Sequence, residues 1–184
     1  MSRPLLLSTR VLLVCAAVAV ATGLLGAIEG WLTIPVLAAA PFVYGFLLGV
    51  HVLPGIIAQE LLRAPWVALL THLFAALVGC ALAPVYAPQF LGTALLFGGI
   101  QELVAALFRY RAWGWWRYLL SATAIGALVA LVVWLAADLA RLPLWAQVAY
   151  VALSVAGPIA WTFVGLAVGR ALERAGVRPR RAAP

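Results

Sequence analysis

The stretch LTIPVLAAAPFVYGFLLGVHVLPGIIAQELL, residues 32–62, decides the fold. It is almost wholly apolar, yet a single straight membrane helix needs only about 20 residues. It is also cut by Pro35, Pro41 and Pro54. Each proline removes a backbone donor and disturbs the preceding turn. In lipid, irregular backbone survives only where protein or a cavity covers it. How often this block crosses the bilayer fixes the side on which everything after it lies.

Five more apolar blocks flank it, at about 11–27, 65–83, 90–108, 118–137 and 145–169. Of the 184 residues, 67% are hydrophobic and 9% charged. A soluble domain carries about 25% charged residues, so this surface is built for lipid. The net charge of +7 comes from arginine alone. These arginines sit in short loops and the tail, where topology signals sit, which argues against nucleic acid as a partner. Cys15 and Cys80 lie inside apolar runs as small hydrophobes, with no CxxC and no metal-site spacing. Ala19-Val20-Ala21 imitates a signal cleavage site. The run continues to Ala27, long enough to span, so an uncleaved first helix is expected.

Arginine placement orients the chain. With the first helix leaving the cytoplasm, Arg3, Arg10, Arg63, Arg109, Arg111, Arg117, Arg170, Arg174, Arg178, Arg180 and Arg181 fall inside, and Arg141 alone falls outside. That holds only if block 32–62 crosses an odd number of times. One crossing is simplest: an irregular lead-in over 30–41, then a helix over 42–62. The expected fold is an all-α membrane protein, a six-helix bundle with both termini cytoplasmic, forming one integral domain of the plasma membrane with a basic tail over 170–184. Trp113, Trp115 and Trp116 beside the inner loop, and Trp31, Tyr86 and Trp145 at outer ends, fit the aromatic belts of such a bundle.

Small residues four apart mark close helix approach: Ala17 and Ala21, Gly45 and Gly49, Gly165 and Gly169. They serve packing within the bundle or docking of a partner subunit, and on the first helix both readings stand. Ionisable groups within spans are costly and informative. The candidates are His51, Glu60, His72 and Glu102, with Gln59 and Gln101 alongside. At ~1.5 Å rise per residue, His72 and Glu102 both lie about 10 Å above the inner boundary and His51 about 18 Å above it. His72 and Glu102 could meet across a helical hairpin, as a structural clasp, a ligand contact or a proton relay. Glu60, near an inner end, can snorkel to the interface. Glu29 is the lone charge expected in the outer segment after the first helix. Trp31, Tyr44, Trp134 and Tyr150 populate the outer half, suited to interface anchoring or to a flat or cationic ring. No HExxH, GxSxG or Walker A sequence appears, so an ATP-driven transporter would need separate ATPases, and an enzyme is not expected.

The stretch Tyr44–Leu82, followed by ALLFGGIQELVAALFRYRAW over Ala94–Trp113, resembles the substrate-binding S-components of energy-coupling-factor (ECF) transporters, above all the YkoE type. The shared pieces are an aromatic-glycine opening, a Pro-Gly step, an arginine before a proline-containing turn, a third helix of small residues, and Glu102 followed by Arg109-Tyr110-Arg111. The chain departs from that pattern at Gly79 and His72, where acidic residues are common, and at Phe97, where glutamine is common. The resemblance implies a non-catalytic, cofactor-free subunit that captures thiamine, its hydroxymethylpyrimidine precursor or a related small vitamin-like heterocycle. Its implied partners are a membrane coupling subunit and two cytoplasmic ATPases. Trp31, Tyr44, His51, His72, Gln101, Glu102 and Trp134 are the candidate substrate contacts, and Ala17 and Ala21 the candidate coupling face. A small proton-coupled transporter using His72 and Glu102, and a membrane assembly subunit, are the alternative readings.

Overall fold

A computed structural model describes residues 8–136 and 138–177. Arg3, Arg178, Arg180 and Arg181, and the end of the basic tail, lie outside the described residues. The described chain is helical: α1 (Thr9–Ala39), α2 (Tyr44–Leu48), α3 (Leu53–Leu62), α4 (Val67–Leu82), α5 (Ala87–Leu107), α6 (Trp115–Ala136) and α7 (Leu144–Arg174). Short 3-10 turns at Pro41–Val43, Gly49–Val52, Pro84–Tyr86 and Leu139–Arg141 join or precede them. Five segments are long and apolar enough to cross a membrane, and α4, with 16 residues, is a shorter apolar helix.

The break between the first two blocks falls later than its prolines suggest. The first helix was expected to end near residue 27 and an irregular segment to fill 30–41. Instead α1 runs through Pro35 and stops at Ala40, whose backbone has left the helical region (φ −151°, ψ 67°). Pro35 forfeits one hydrogen bond inside an otherwise continuous ladder, whereas the ring of Pro41 disfavours helical geometry in the residue before it. The irregular backbone lies instead in the second block, as the two 3-10 turns around α2. Pro54 sits in the first turn of α3, where a missing N–H costs nothing.

That broken second block is the centre of the bundle. Its most apolar window is 67% buried, against 33–44% for the other four spans, so its irregular backbone is covered by protein as a membrane interior demands. Around it, α1 packs on α4, α4 on α5, α5 on α6 and α6 on α7, and α7 closes against α2 and α3. Glycines let α7 approach. A Cβ on Gly157 would lie 2.6 Å from Phe46 Cα, and one on Gly49 would lie 2.7 Å from Gly157 C and Pro158 N. The Gly45/Gly49 and Gly165/Gly169 pairs therefore serve contacts inside the bundle, with Gly165 against Ile56 and Gly169 against Glu60.

Polarity is reversed relative to a water-soluble protein. Leu107, Leu131, Leu135 and Leu103 are exposed, while Glu29, Gln59, Glu60, His72, Gln101, Glu102 and Arg117 are buried. Polar groups inside and leucines outside suit lipid, because each buried ionisable group then finds a protein partner. Leu13 and Val14 near the start of α1 line one groove with Leu172 and Val177 at the end of the chain's described part. The two ends of the described bundle thus lie on one side.

Candidate functional site

A small cavity of about 20 Å³ lies where α1, the 3-10 turn at Gly49–Val52, α3, α4 and α5 converge. Its walls are mainly small residues, Gly23, Gly26, Ala75, Ala76 and Gly79 among them, and its polar lining is Thr22, His51, His72 and Thr93. The volume holds about one water. Phe90 caps it: a Cβ on Gly30 would lie 2.8 Å from Phe90 Cζ, and one on Gly79 would lie 3.0 Å from Cδ2. Glycine on α1 and on α4 makes the room that this ring occupies. An aromatic ladder leads from the bundle surface to the cavity, Trp31 to Tyr86 (5.7 Å between centroids), Tyr86 to Phe90 (6.3 Å) and Phe90 to His51 (6.2 Å).

Each histidine is held from behind. His51 Nε2 lies 2.9 Å from Glu29 Oε2, and the other carboxylate oxygen of Glu29 accepts from Thr33 Oγ1 at 3.3 Å. His72 Nε2 lies 3.0 Å from Gln101 Oε1, while Gln101 Nε2 donates to the Val52 carbonyl at 3.1 Å. A buried polar chain continues from there. Gln59 Nε2 donates to the Gln101 carbonyl, and Arg117 Nη2 donates to Gln59 Oε1 at 3.1 Å. The Arg117 guanidinium lies over the rings of Tyr118 (4.2 Å) and Trp113 (4.8 Å), a cation–π arrangement that offsets part of the cost of burying it. Tyr118 donates to Glu60 at 3.0 Å, and Glu60 faces Arg63 and Arg170 at 3.8 and 3.7 Å.

Glu102 does not meet His72. Its carboxylate accepts from the backbone N–H groups of Ala68 (2.8 Å) and Trp66 (3.1 Å) and from Tyr110 Oη (3.1 Å). It thus caps the free N-terminus of α4, where unpaired N–H groups and the helix dipole favour an anion. Neighbours on a helix differ by about 100° in direction, so Gln101 points to His72 while Glu102 points to the turn before α4. That removes the expected His72–Glu102 clasp, and with it the contact on which a relay between them would depend. Tyr110, in the loop after α5, has its hydroxyl pKa pushed up to about 12 by burial and then by the Glu102 carboxylate. Glu102 also ties down strained backbone: Arg63, Trp66, Arg109 and Tyr110 are left-handed non-glycine residues (φ 46 to 66°) in the two turns it bridges.

Of the expected contacts, His51 and His72 line the cavity and Gln101 supports it from the second layer. Tyr44 is buried nearby, its hydroxyl accepting from Gln89 at 3.3 Å. Trp31 is 58% exposed at the outer rung of the aromatic ladder. Trp134 is not brought to the cavity; it stands against Tyr150 at 6.4 Å in a separate apolar groove with Leu144 and Val148. Ala17 and Ala21 line an open apolar groove of about 480 Å³ between α1 and α7. Sequence reasoning placed Glu29 in an outer segment and gave Glu60 and Arg117 to the inner interface, yet all three are buried. For Glu29 a signal was present: an isolated acid within an apolar run, flanked by Gly26 and Gly30, marks a covered helix face.

The fold and cavity define an all-α, multi-span membrane protein built around a buried polar pocket. A family described as "ABC-type cobalt transport system, permease component" matches residues 10–128. The chain belongs to that family, a family of transport components. Its fold is also similar to that in "Crystal structure of an S-component of ECF transporter", with a TM-score of 0.82 and 17% identity, over 93% of this chain and 88% of that one. No curated protein matches the sequence.

Proposed function

We propose that the protein is the substrate-binding S-component of an ECF-type importer, and that the cavity between His51 and His72 is the polar floor of its substrate site. The observation that carries this reading is a polar pocket walled by glycine and alanine at the centre of an S-component fold. Ring-sized solutes enter by displacing Phe90, along the ladder that begins at Trp31 and Tyr86. The substrate is a small heterocycle of the thiamine and hydroxymethylpyrimidine class. Aromatic walls stack on such a ring and a few polar groups fix its orientation.

The five long segments and the shorter α4 all cross, with both termini cytoplasmic. The end bearing Arg63, Arg109, Arg111 and Arg170 is then the inner one. The apolar groove along Ala17 and Ala21 receives the coupling subunit, since small residues four apart allow close helix contact in lipid. Two cytoplasmic ATPases supply the energy. The family description names cobalt, but among the described residues no group of three His, Cys, Asp or Glu side chains is placed to hold a metal ion, which favours an organic solute.

Thermal unfolding of the purified protein tests this with thiamine, hydroxymethylpyrimidine and cobalt(II) as separate additions. The organic heterocycles raise the midpoint and His72→Ala abolishes the rise. Protection by cobalt alone, or by none of the three, overturns the substrate assignment.

A further inference from the structure

The protons of the cavity's polar groups are already assigned. Thr22 Oγ1 donates to the Val18 carbonyl at 2.8 Å, and Thr93 Oγ1 donates to the Gln89 carbonyl at 2.9 Å. Gln101 presents its amide nitrogen to the Val52 carbonyl, which can only accept, so its oxygen is the atom facing His72. His72 Nε2 therefore carries a hydrogen, and its Nδ1, in the neutral ring, is a bare lone pair. Glu29 sets His51 the same way, because a carboxylate already accepting from Thr33 draws the imidazole hydrogen to Nε2. His51 Nδ1 lies beside Gly26, where an added Cβ would be 3.6 Å away, with no acceptor bonded to it among the described residues. A hydrogen there would be a donor with no acceptor among the described protein groups, a state that folded proteins avoid more strictly than an unpaired acceptor.

We infer that Glu29 and Gln101 are specificity-setting positioning residues that make the cavity a site of acceptors alone, selective for an amino or ammonium group. The inference rests on the cavity being the substrate site. His51, His72, Thr22 and Thr93 line a space the size of one such group, and with their hydrogens engaged elsewhere the two rings and two hydroxyls have acceptors left to offer it. A carbonyl or hydroxylate in that place faces only lone pairs and leaves them unpaired. Sites built to pair a substrate's N–H reject an analogue lacking it far more strongly than apolar pockets reject a methylene. The buried carboxylate of Glu29, one residue behind His51, adds preference for a group that carries positive charge.

The two histidines are the only ones in the chain, so NMR of isotope-labelled histidine nitrogens in the intact protein reads both tautomers without a variant. In both rings the hydrogen is expected on Nε2 with none on Nδ1; hydrogen on either Nδ1 overturns the inference. Competition binding then compares an aminopyrimidine with its oxo counterpart. The wild type favours the amino form by at least about tenfold. Glu29→Gln, whose amide can donate to His51 and reverse its tautomer, lowers that ratio. Equal affinity of the wild type for the two rings, or an unchanged ratio in Glu29→Gln with a reversed tautomer, overturns it. Failure of both rings to bind, with the tautomers as described, sinks the substrate assignment and leaves the histidine assignment standing.

Discussion

Glu102 shows how one side chain can bind several parts of the fold. Three hydrogen bonds from two turns end on its carboxylate, and it is almost fully buried. Removing it strands the N–H groups of Trp66 and Ala68 and leaves the left-handed turn at Arg109–Tyr110 to the hydrogen bonds that its own N–H groups give the α5 carbonyls of Ala106 and Ala105, at 2.7 and 2.8 Å. Glu102→Ala is expected to cost about 1–3 kcal/mol, read as a fall in the thermal midpoint in detergent, with a smaller fall for Glu102→Gln. An unchanged midpoint in Glu102→Ala would contradict the capping role. Its importance was legible in the sequence as a costly acid inside a span. Its partner was not, because depth along a helix says nothing about which way the residue at that depth faces.

At the scale of elements, the approach of α7 to the broken second block depends on bare backbone. An added methyl at Gly157 meets Phe46 backbone atoms at 2.6 and 3.0 Å, and backbone cannot rotate aside. Gly157→Ala should therefore destabilise the bundle by about 1–3 kcal/mol through overpacking. Gly92→Ala and Gly99→Ala meet nothing within 4 Å and should be neutral or slightly stabilising. Denaturation midpoints of the three variants check the contrast, and equal effects would mean that α7 is not packed through these glycines. The same elements show why the break after α1 was misplaced by sequence reasoning. Pro35 and Pro41 look alike in a sequence, but a helix can pass one missing hydrogen bond and cannot easily pass the backbone conformation that Pro41 imposes on Ala40.

For the whole molecule, arginine placement and the bundle's geometry combine into a statement about sides. Arg111 and Asp138 lie in turns that follow α5 and α6 and so stand at opposite ends of one span. With both termini cytoplasmic, Arg111→Cys should resist a membrane-impermeant thiol reagent applied to intact cells, and Asp138→Cys should react. The native Cys15 is buried and Cys80 half-buried, and a version with both replaced by alanine removes their background. Labelling at Arg111→Cys from outside would reverse the proposed orientation.

Composition and apolar blocks alone determined that this chain spans a membrane repeatedly as a helical bundle, since transfer into lipid depends on the summed polarity of a segment. The positions of α4 to α7 followed within a few residues for the same reason. Tertiary structure alone decided which polar groups meet: His72 with Gln101, Glu102 with the start of α4, and Glu29 with His51 across 22 residues. Those pairings depend on the rotation of each helix about its axis and on its slide along its neighbour. Hydropathy is nearly blind to both, and packing through glycine sets both.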